Sequence, residues 1–162
     1  KNDGAQGVVI PGGASAGVLG PLIEAKPAHI AVANRTPDKA QALVQRHAAL
    51  AAQHSVVLAA TTLDAAGGPF DVVVNGTATS LTGAGVPVPP TVLRPGTLAV
   101  DMMYGPAAQA FMDWAARHGA VPRDGLGMLV EQAAGSFAVW RGVRPPAARV
   151  LAELRQVLEQ AR

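Results

Sequence analysis

Cysteine is absent from these 162 residues, which excludes a disulfide framework, a thiolate nucleophile and a Cys-based zinc site. Charged residues make up only 15% of the chain, and lysine and arginine never form a run longer than a pair. The net charge of +2 is therefore spread too thinly for a nucleic-acid face. The four histidines, His29, His47, His54 and His118, show no metal-ligand spacing, so no metal is expected. No apolar run reaches membrane-spanning length and no signal peptide opens the sequence. Hydrophobic residues nevertheless reach 49%, enough for one sizeable core. These bounds describe a soluble domain suited to the cytoplasm, with a small molecule rather than nucleic acid or membrane as its partner.

Short apolar runs alternate with amphipathic ones along the chain. Gly7-Val8-Val9-Ile10 stops at Pro11-Gly12-Gly13-Ala14-Ser15, and a helical pattern runs from about Ala14 to Ala25. His29–Ala33 reads as a second strand. Thr36-Pro37-Asp38 then signals a helix start, with Thr as N-cap and Pro in the first turn, and the helix runs to about Gln53. Further strands are expected at Val56–Leu58, Phe70–Val74 and Gly96–Val100, with a stub at Ala120-Val121. One helical turn is expected near Thr91–Leu93 within the loop from Ala78 to Pro95. Helices are expected over about Ala107–His118, from Leu126 until Gly142 closes it, and from Pro145-Pro146 to the end. The expected fold class is α/β: a doubly wound parallel sheet of about six strands with helices on both faces, in one domain over residues 1–162. A first strand this close to residue 1 suggests that further chain lies upstream.

In such a sheet ligands bind beyond the carboxyl ends of the strands, where strand order reverses. Four ends carry small, polar or unusual residues: Pro11–Ser15, Asn34–Thr36, Asn75–Thr77 and Asp101–Tyr104. The glycine turn is short of a full G-x-G-x-x-G. Gly12 and Gly17 have Walker A outer spacing, but Val18-Leu19 stand where that loop needs Lys-Ser/Thr. A bare strand-to-helix turn therefore remains an alternative there.

The second end is more informative. An NAD-selective site places a carboxylate at this point, whereas this chain has Asn34-Arg35-Thr36 followed by Lys39, cations that suit a 2′-phosphate. The alternative is a capped helix with two solvated cations. Gly76 allows close backbone approach and Thr77 offers a donor, or the pair is a plain Asn-Gly turn. Asp101 is either a site carboxylate or a buried acid capping amides. Tyr104 lacks a lysine four residues on, so it reads as a hydrogen-bonding wall. No general acid or base is apparent.

Together the run Ile10–Gly17, Asn34-Arg35-Thr36 with Lys39, Asn75-Gly76-Thr77, Asp101-Met102-Met103-Tyr104 and Asp124-Gly125-Leu126-Gly127-Met128-Leu129-Val130-Glu131-Gln132 resemble the cofactor-binding domain of shikimate dehydrogenase, over essentially the whole chain. The resemblance implies an oxidoreductase that uses NADP(H) to reduce 3-dehydroshikimate to shikimate, on the chorismate route to aromatic amino acids. It implies that Gly12, Gly13, Ala14 and Ser15 hold the pyrophosphate. Asn34, Arg35, Thr36 and Lys39 would hold the 2′-phosphate, and Thr77, across the switch point, would also meet the cofactor. Met102 and the backbone of Gly125 would flank the nicotinamide, and Tyr104 and Gln132 would reach the substrate.

Two departures from the family pattern stand out. Ile10-Pro11 replace a Gly-Ala, placing a branched side chain and an imide where backbone approaches the cofactor, so weakened NADPH binding or a shifted turn is expected. The family's N-terminal substrate domain, which carries its proton-transfer lysine and aspartate, is missing. No catalytic residue is therefore expected in this chain, and little turnover from it alone. The apolar stripe of the last helix, about 146–162, is expected to pack on that absent domain or to drive association into a homodimer. The alternatives are a quinate/shikimate-type dehydrogenase and a degenerate, non-catalytic nucleotide-binding module.

Overall fold

A computed structural model of the chain describes residues 4–10, 16–77 and 85–160. Six parallel strands form one sheet in the order β3-β2-β1-β4-β5-β6. They are β1 (Gln6–Ile10), β2 (His29–Ala33), β3 (Val57–Thr61), β4 (Val72–Asn75), β5 (Leu98–Asp101) and β6 (Val121–Arg123). The helices are α1 (Ala16–Glu24), α2 (Pro37–Gln53), α3 (Gln109–Arg117), α4 (Leu126–Arg141) and α5 (Ala147–Gln160). The order reverses between β1 and β4, the arrangement of a doubly wound nucleotide-binding sheet.

Alternation along the strands feeds two cores. Val8, Ile10, Ala31, Ala33 and Val73 face Phe111, Trp114 and Ala115 of α3, together with Phe70 and Val92. Val9, Ile30, Val32 and Val74 face Leu19 and Ile23 of α1 and Ala40 and Ala51 of α2. Strand side chains alternate between faces, so each central strand must be apolar throughout to fill both.

Several boundaries differ from the sequence-based expectation, each for a local reason. β3 starts one residue later than Val56 and runs on through Ala59, Ala60 and Thr61, because full parallel register with β2 carries these weak strand formers. Phe70 lies outside β4: its amide donates to the Val92 carbonyl, and its ring stacks on His29. Gly96, at φ +86, belongs to the turn before β5, and the Thr97 hydroxyl ties that turn to the Phe70 carbonyl at 2.7 Å. The helix expected from Ala107 begins as a 3-10 turn, Gly105–Ala108, before α3. The expected turn near Thr91 is the 3-10 turn Pro90–Val92. Gly142 ends α4 in the left-handed region at φ 70, its amide donating to the Ala138 carbonyl.

The apolar residues of α4 are divided between two faces. Leu126, Val130 and Ala134 are the residues that α4 buries, whereas Leu129, Phe137 and Trp140 face solvent. No residue of α5 is buried, and Val150, Leu154 and Val157 are exposed on it. Among the described residues no helix is long and apolar enough to cross a membrane, and no cluster of His, Cys, Asp or Glu could hold a metal ion.

Candidate functional site

The carboxyl ends of β1, β4, β5 and β6 are laced together by backbone hydrogen bonds. The Gly76 amide donates to the Ile10 carbonyl at 2.9 Å, the Met102 amide to Asn75 at 2.8 Å and the Gly125 amide to Met103 at 2.7 Å. Each loop leaving the sheet is thus fixed to the preceding end, and together they form one rim along the switch point.

Side chains reinforce this rim from below. Asn75 and Asp101 pair in register on β4 and β5, and the Asn75 amide donates to Asp101 Oδ2 at 3.3 Å. Asn75 Oδ1 accepts the Thr77 amide at 3.2 Å and the Thr77 hydroxyl at 2.7 Å, while Asp101 Oδ1 accepts the Met103 amide at 2.9 Å. Asp101 is fully buried. Burial raises its pKa, against the lowering influence of the Met103 amide and Asn75, and Asp124 pushes it up further. Asp101 is therefore the buried acid that caps amides, one of its two sequence readings, and it does not project into the crevice.

At the far side of β1, Asn34 Oδ1 accepts the Thr36 amide at 2.9 Å and sets the turn into α2. Thr36 sits at the N-cap with extended backbone but its hydroxyl makes no cap bond. This corrects the expectation that the threonine side chain starts the helix. Pro37 and the Asn34 turn do that work, so the Thr36 hydroxyl is not committed to the helix. Arg35, Thr36 and Lys39 are exposed. Arg35 borders an open cleft of about 620 Å3 with Thr62, Leu63, Asp64 and the segment Val86–Pro89. This cleft wall has no motif in the sequence. Its one local signal is the Thr61-Thr62 pair at the end of β3.

The structure brings Met102 and Gly125 together: the Met102 backbone packs so closely on Gly125 that a Cβ there would lie 2.6 Å from the Met102 carbonyl carbon. Thr77 joins them through Asn75. Asn34, Arg35, Thr36 and Lys39 form a separate group beyond β2. Tyr104, 43% exposed, leads into the 3-10 turn, and Gln132 is exposed two turns into α4. Gly12, Gly13, Ala14 and Ser15 lie outside the described residues, as does Pro11. Ile10 corrects one expectation. Its side chain is fully buried with the α3 core, because the last residue of β1 alternates inward, so the branch does not project toward a bound cofactor.

Asp124 is a second residue with no role assigned from sequence. Its Oδ2 and Oδ1 accept both arms of the Arg155 guanidinium at 2.7 and 2.5 Å, and Oδ1 also accepts the Leu126 amide at 3.3 Å. Burial pushes this carboxyl up, but Arg155, by hydrogen bonds and charge, and the Leu126 and Gly105 amides outweigh it and hold the pKa below the usual range. A depressed carboxylate contributes stability above its unfolded pKa and loses it as pH falls through the folded one. Asp124→Asn is expected to cost on the order of 1 kcal/mol at pH 7, since the guanidinium is partly in water. The difference from wild type should shrink below about pH 4, where an unperturbed aspartate protonates. Denaturant unfolding across pH measures this, and a difference independent of pH would refute it.

Comparison with known proteins agrees with the geometry. The family model described as the Shikimate 5'-dehydrogenase C-terminal domain matches residues 125–155. A protein of Paracidovorax citrulli named Shikimate dehydrogenase (NADP(+)) is 70% identical over 147 residues, covering 91% of this chain and 52% of that protein. An Ael1 enzyme from Pseudomonas putida superimposes with a TM-score of 0.80 at 40% identity, over 93% of this chain and 54% of its own. The shikimate 5-dehydrogenase of Thermus thermophilus, solved in complex with shikimate, gives 0.76 at 29% identity, over 98% and 56%. The chain spans about half the length of the curated relatives it matches, and over that half it is similar to proteins named shikimate dehydrogenase.

Proposed function

We propose that residues 1–162 form a single NADP(H)-binding domain of an oxidoreductase that interconverts 3-dehydroshikimate and shikimate. The observation that carries this reading is the end of β2: Arg35, with Thr36 and Lys39, stands exposed beside a cleft. A carboxylate there would repel a 2′-phosphate, whereas a guanidinium pairs with it through two parallel hydrogen bonds. The name that the relatives share, Shikimate dehydrogenase (NADP(+)), points the same way.

In this reading Asn34 holds the turn while Arg35, Thr36 and Lys39 take the 2′-phosphate, and Gly12, Gly13, Ala14 and Ser15 take the pyrophosphate. Bound NADPH supplies the hydride for carbonyl reduction. Thr77, Met102 and the backbone of Gly125 line the nicotinamide side of the rim, and Tyr104 and Gln132 contact the substrate. Asp101 cannot serve as the proton donor, because both of its oxygens are engaged in the buried bracket. The acid–base pair is assigned to protein outside these residues, and the whole enzyme is placed in the cytoplasm. Calorimetric titration with NADPH and NADH tests the cofactor reading. NADPH should bind at least about tenfold tighter, as expected for one charge-assisted phosphate contact. Equal affinity, or a preference for NADH, would overturn it.

A further inference from the structure

Helix α5 buries no residue of its own, yet one of its side chains reaches the rim. Leu151 lies over Gly127 in the first turn of α4, 3.8 Å from where a Cβ would stand. Arg155 follows one turn later, on the same face of α5. It grips Asp124 through two nitrogens, and the Asp124 side chain is only 9% exposed. The carboxylate in turn accepts the Leu126 amide, and the Gly105 backbone amide helps hold its pKa low, so it lies between the start of α4 and the loop that follows β5. Between those two anchors lies the closest backbone approach of the rim, Gly125 against Met102.

We propose that Arg155 is a positioning residue for the nicotinamide side of the crevice, acting through Asp124 to hold Gly125 against Met102. The proposal rests on the NADP(H) reading for its ligand but not for its geometry. The bidentate fork fixes both oxygens of Asp124, and a carboxylate held that way cannot rotate to release either loop. A helix that packs on α4 and buries no residue of its own therefore governs the spacing of two strand ends.

The test compares wild type with Arg155→Ala and Arg155→Lys, using NADP+ and adenosine 2′,5′-bisphosphate as ligands. The bisphosphate reaches the Arg35 side and the phosphate turn but not the nicotinamide side. NADP+ affinity should fall about fivefold or more in Arg155→Ala and less in Arg155→Lys, since a displaced contact surface is costly at the reacting end. Bisphosphate affinity should stay unchanged in both. Arg149→Ala removes an exposed pair with Glu153 on the same helix, and it should alter neither ligand. Parallel loss of both ligands, or loss of neither, would overturn the proposal. Amide hydrogen exchange provides a readout independent of cofactor. The Gly125 amide should exchange faster in Arg155→Ala, and unchanged exchange there would also overturn it. If wild type binds neither ligand, the NADP(H) reading fails and the Gly125 exchange rate alone decides the positioning role.

Discussion

Gly125→Ala is expected to destabilise the chain by about 3 kcal/mol, at the upper end of overpacking in a close-packed interior. Gly125 has φ −79, a conformation open to any residue, so the requirement for glycine is purely one of space. An added Cβ would lie 2.6 Å from the Met102 carbonyl carbon and 3.1 Å from its Cα. Both obstacles are backbone, which cannot swing aside as the tip of a flexible side chain would. The loops must separate, and the Gly125 amide then loses its 2.7 Å bond to the Met103 carbonyl, leaving a buried donor unpaired. NADPH affinity should fall with it. Gly135→Ala serves as the control, because a Cβ there meets nothing within 4 Å. Gly135 lies inside α4, so that change should stabilise by up to about 1 kcal/mol. Urea unfolding with unchanged m-value measures both. A cost below about 0.5 kcal/mol for Gly125→Ala, within the range of an ordinary surface change, would show that the rim tolerates the methyl.

The second large effect concerns selectivity. Arg35→Ala should weaken NADPH binding by about 10- to 100-fold, the worth of a hydrogen bond to a charged group. NADH affinity should change little, so the preference between the two should nearly vanish. Arg35 is exposed at the mouth of its cleft, and its removal should leave stability within about 0.5 kcal/mol of wild type. Asp64 borders the same cleft, held below the usual carboxylate range chiefly by the Thr62 hydroxyl. A phosphate must therefore settle on the Arg35 side, away from that negative charge. If the NADPH/NADH ratio survives in Arg35→Ala, discrimination resides elsewhere.

What can be read from sequence follows the range of the forces involved. β2 is found at its observed bounds, and α2 at its start and end, because the signals there are local: a short apolar run, then Thr-Pro-Asp. The C-terminus of α4 is equally plain, since Gly142 takes a left-handed conformation that glycine adopts at low cost. β3 outruns its sequence signal because Ala59 and Ala60 have little strand preference of their own and depend on their neighbour. On α4 two apolar rows, one through Leu126, Val130 and Ala134 and one through Leu129, Phe137 and Trp140, share the same helical spacing. Periodicity cannot say which row meets the core. The residues beyond β2, and Met102 and Gly125 singly, stand out as motifs, while the contact between the last two appears only in the fold. The bracket of Asn75 with Asp101, 26 positions apart, and the fork of Arg155 on Asp124, 31 positions apart, are products of folding with no local signature.

The outward row of α4 leaves the molecule with two unlike chromophores. Trp114 is only 9% exposed, lying between Phe111 and His118, while Trp140 is 78% exposed. An indole in an apolar cage emits at shorter wavelength than one in water and is shielded from dissolved quenchers. One emission band thus reports the integrity of the α3 core, and the other reports anything that comes to cover the outer row of α4.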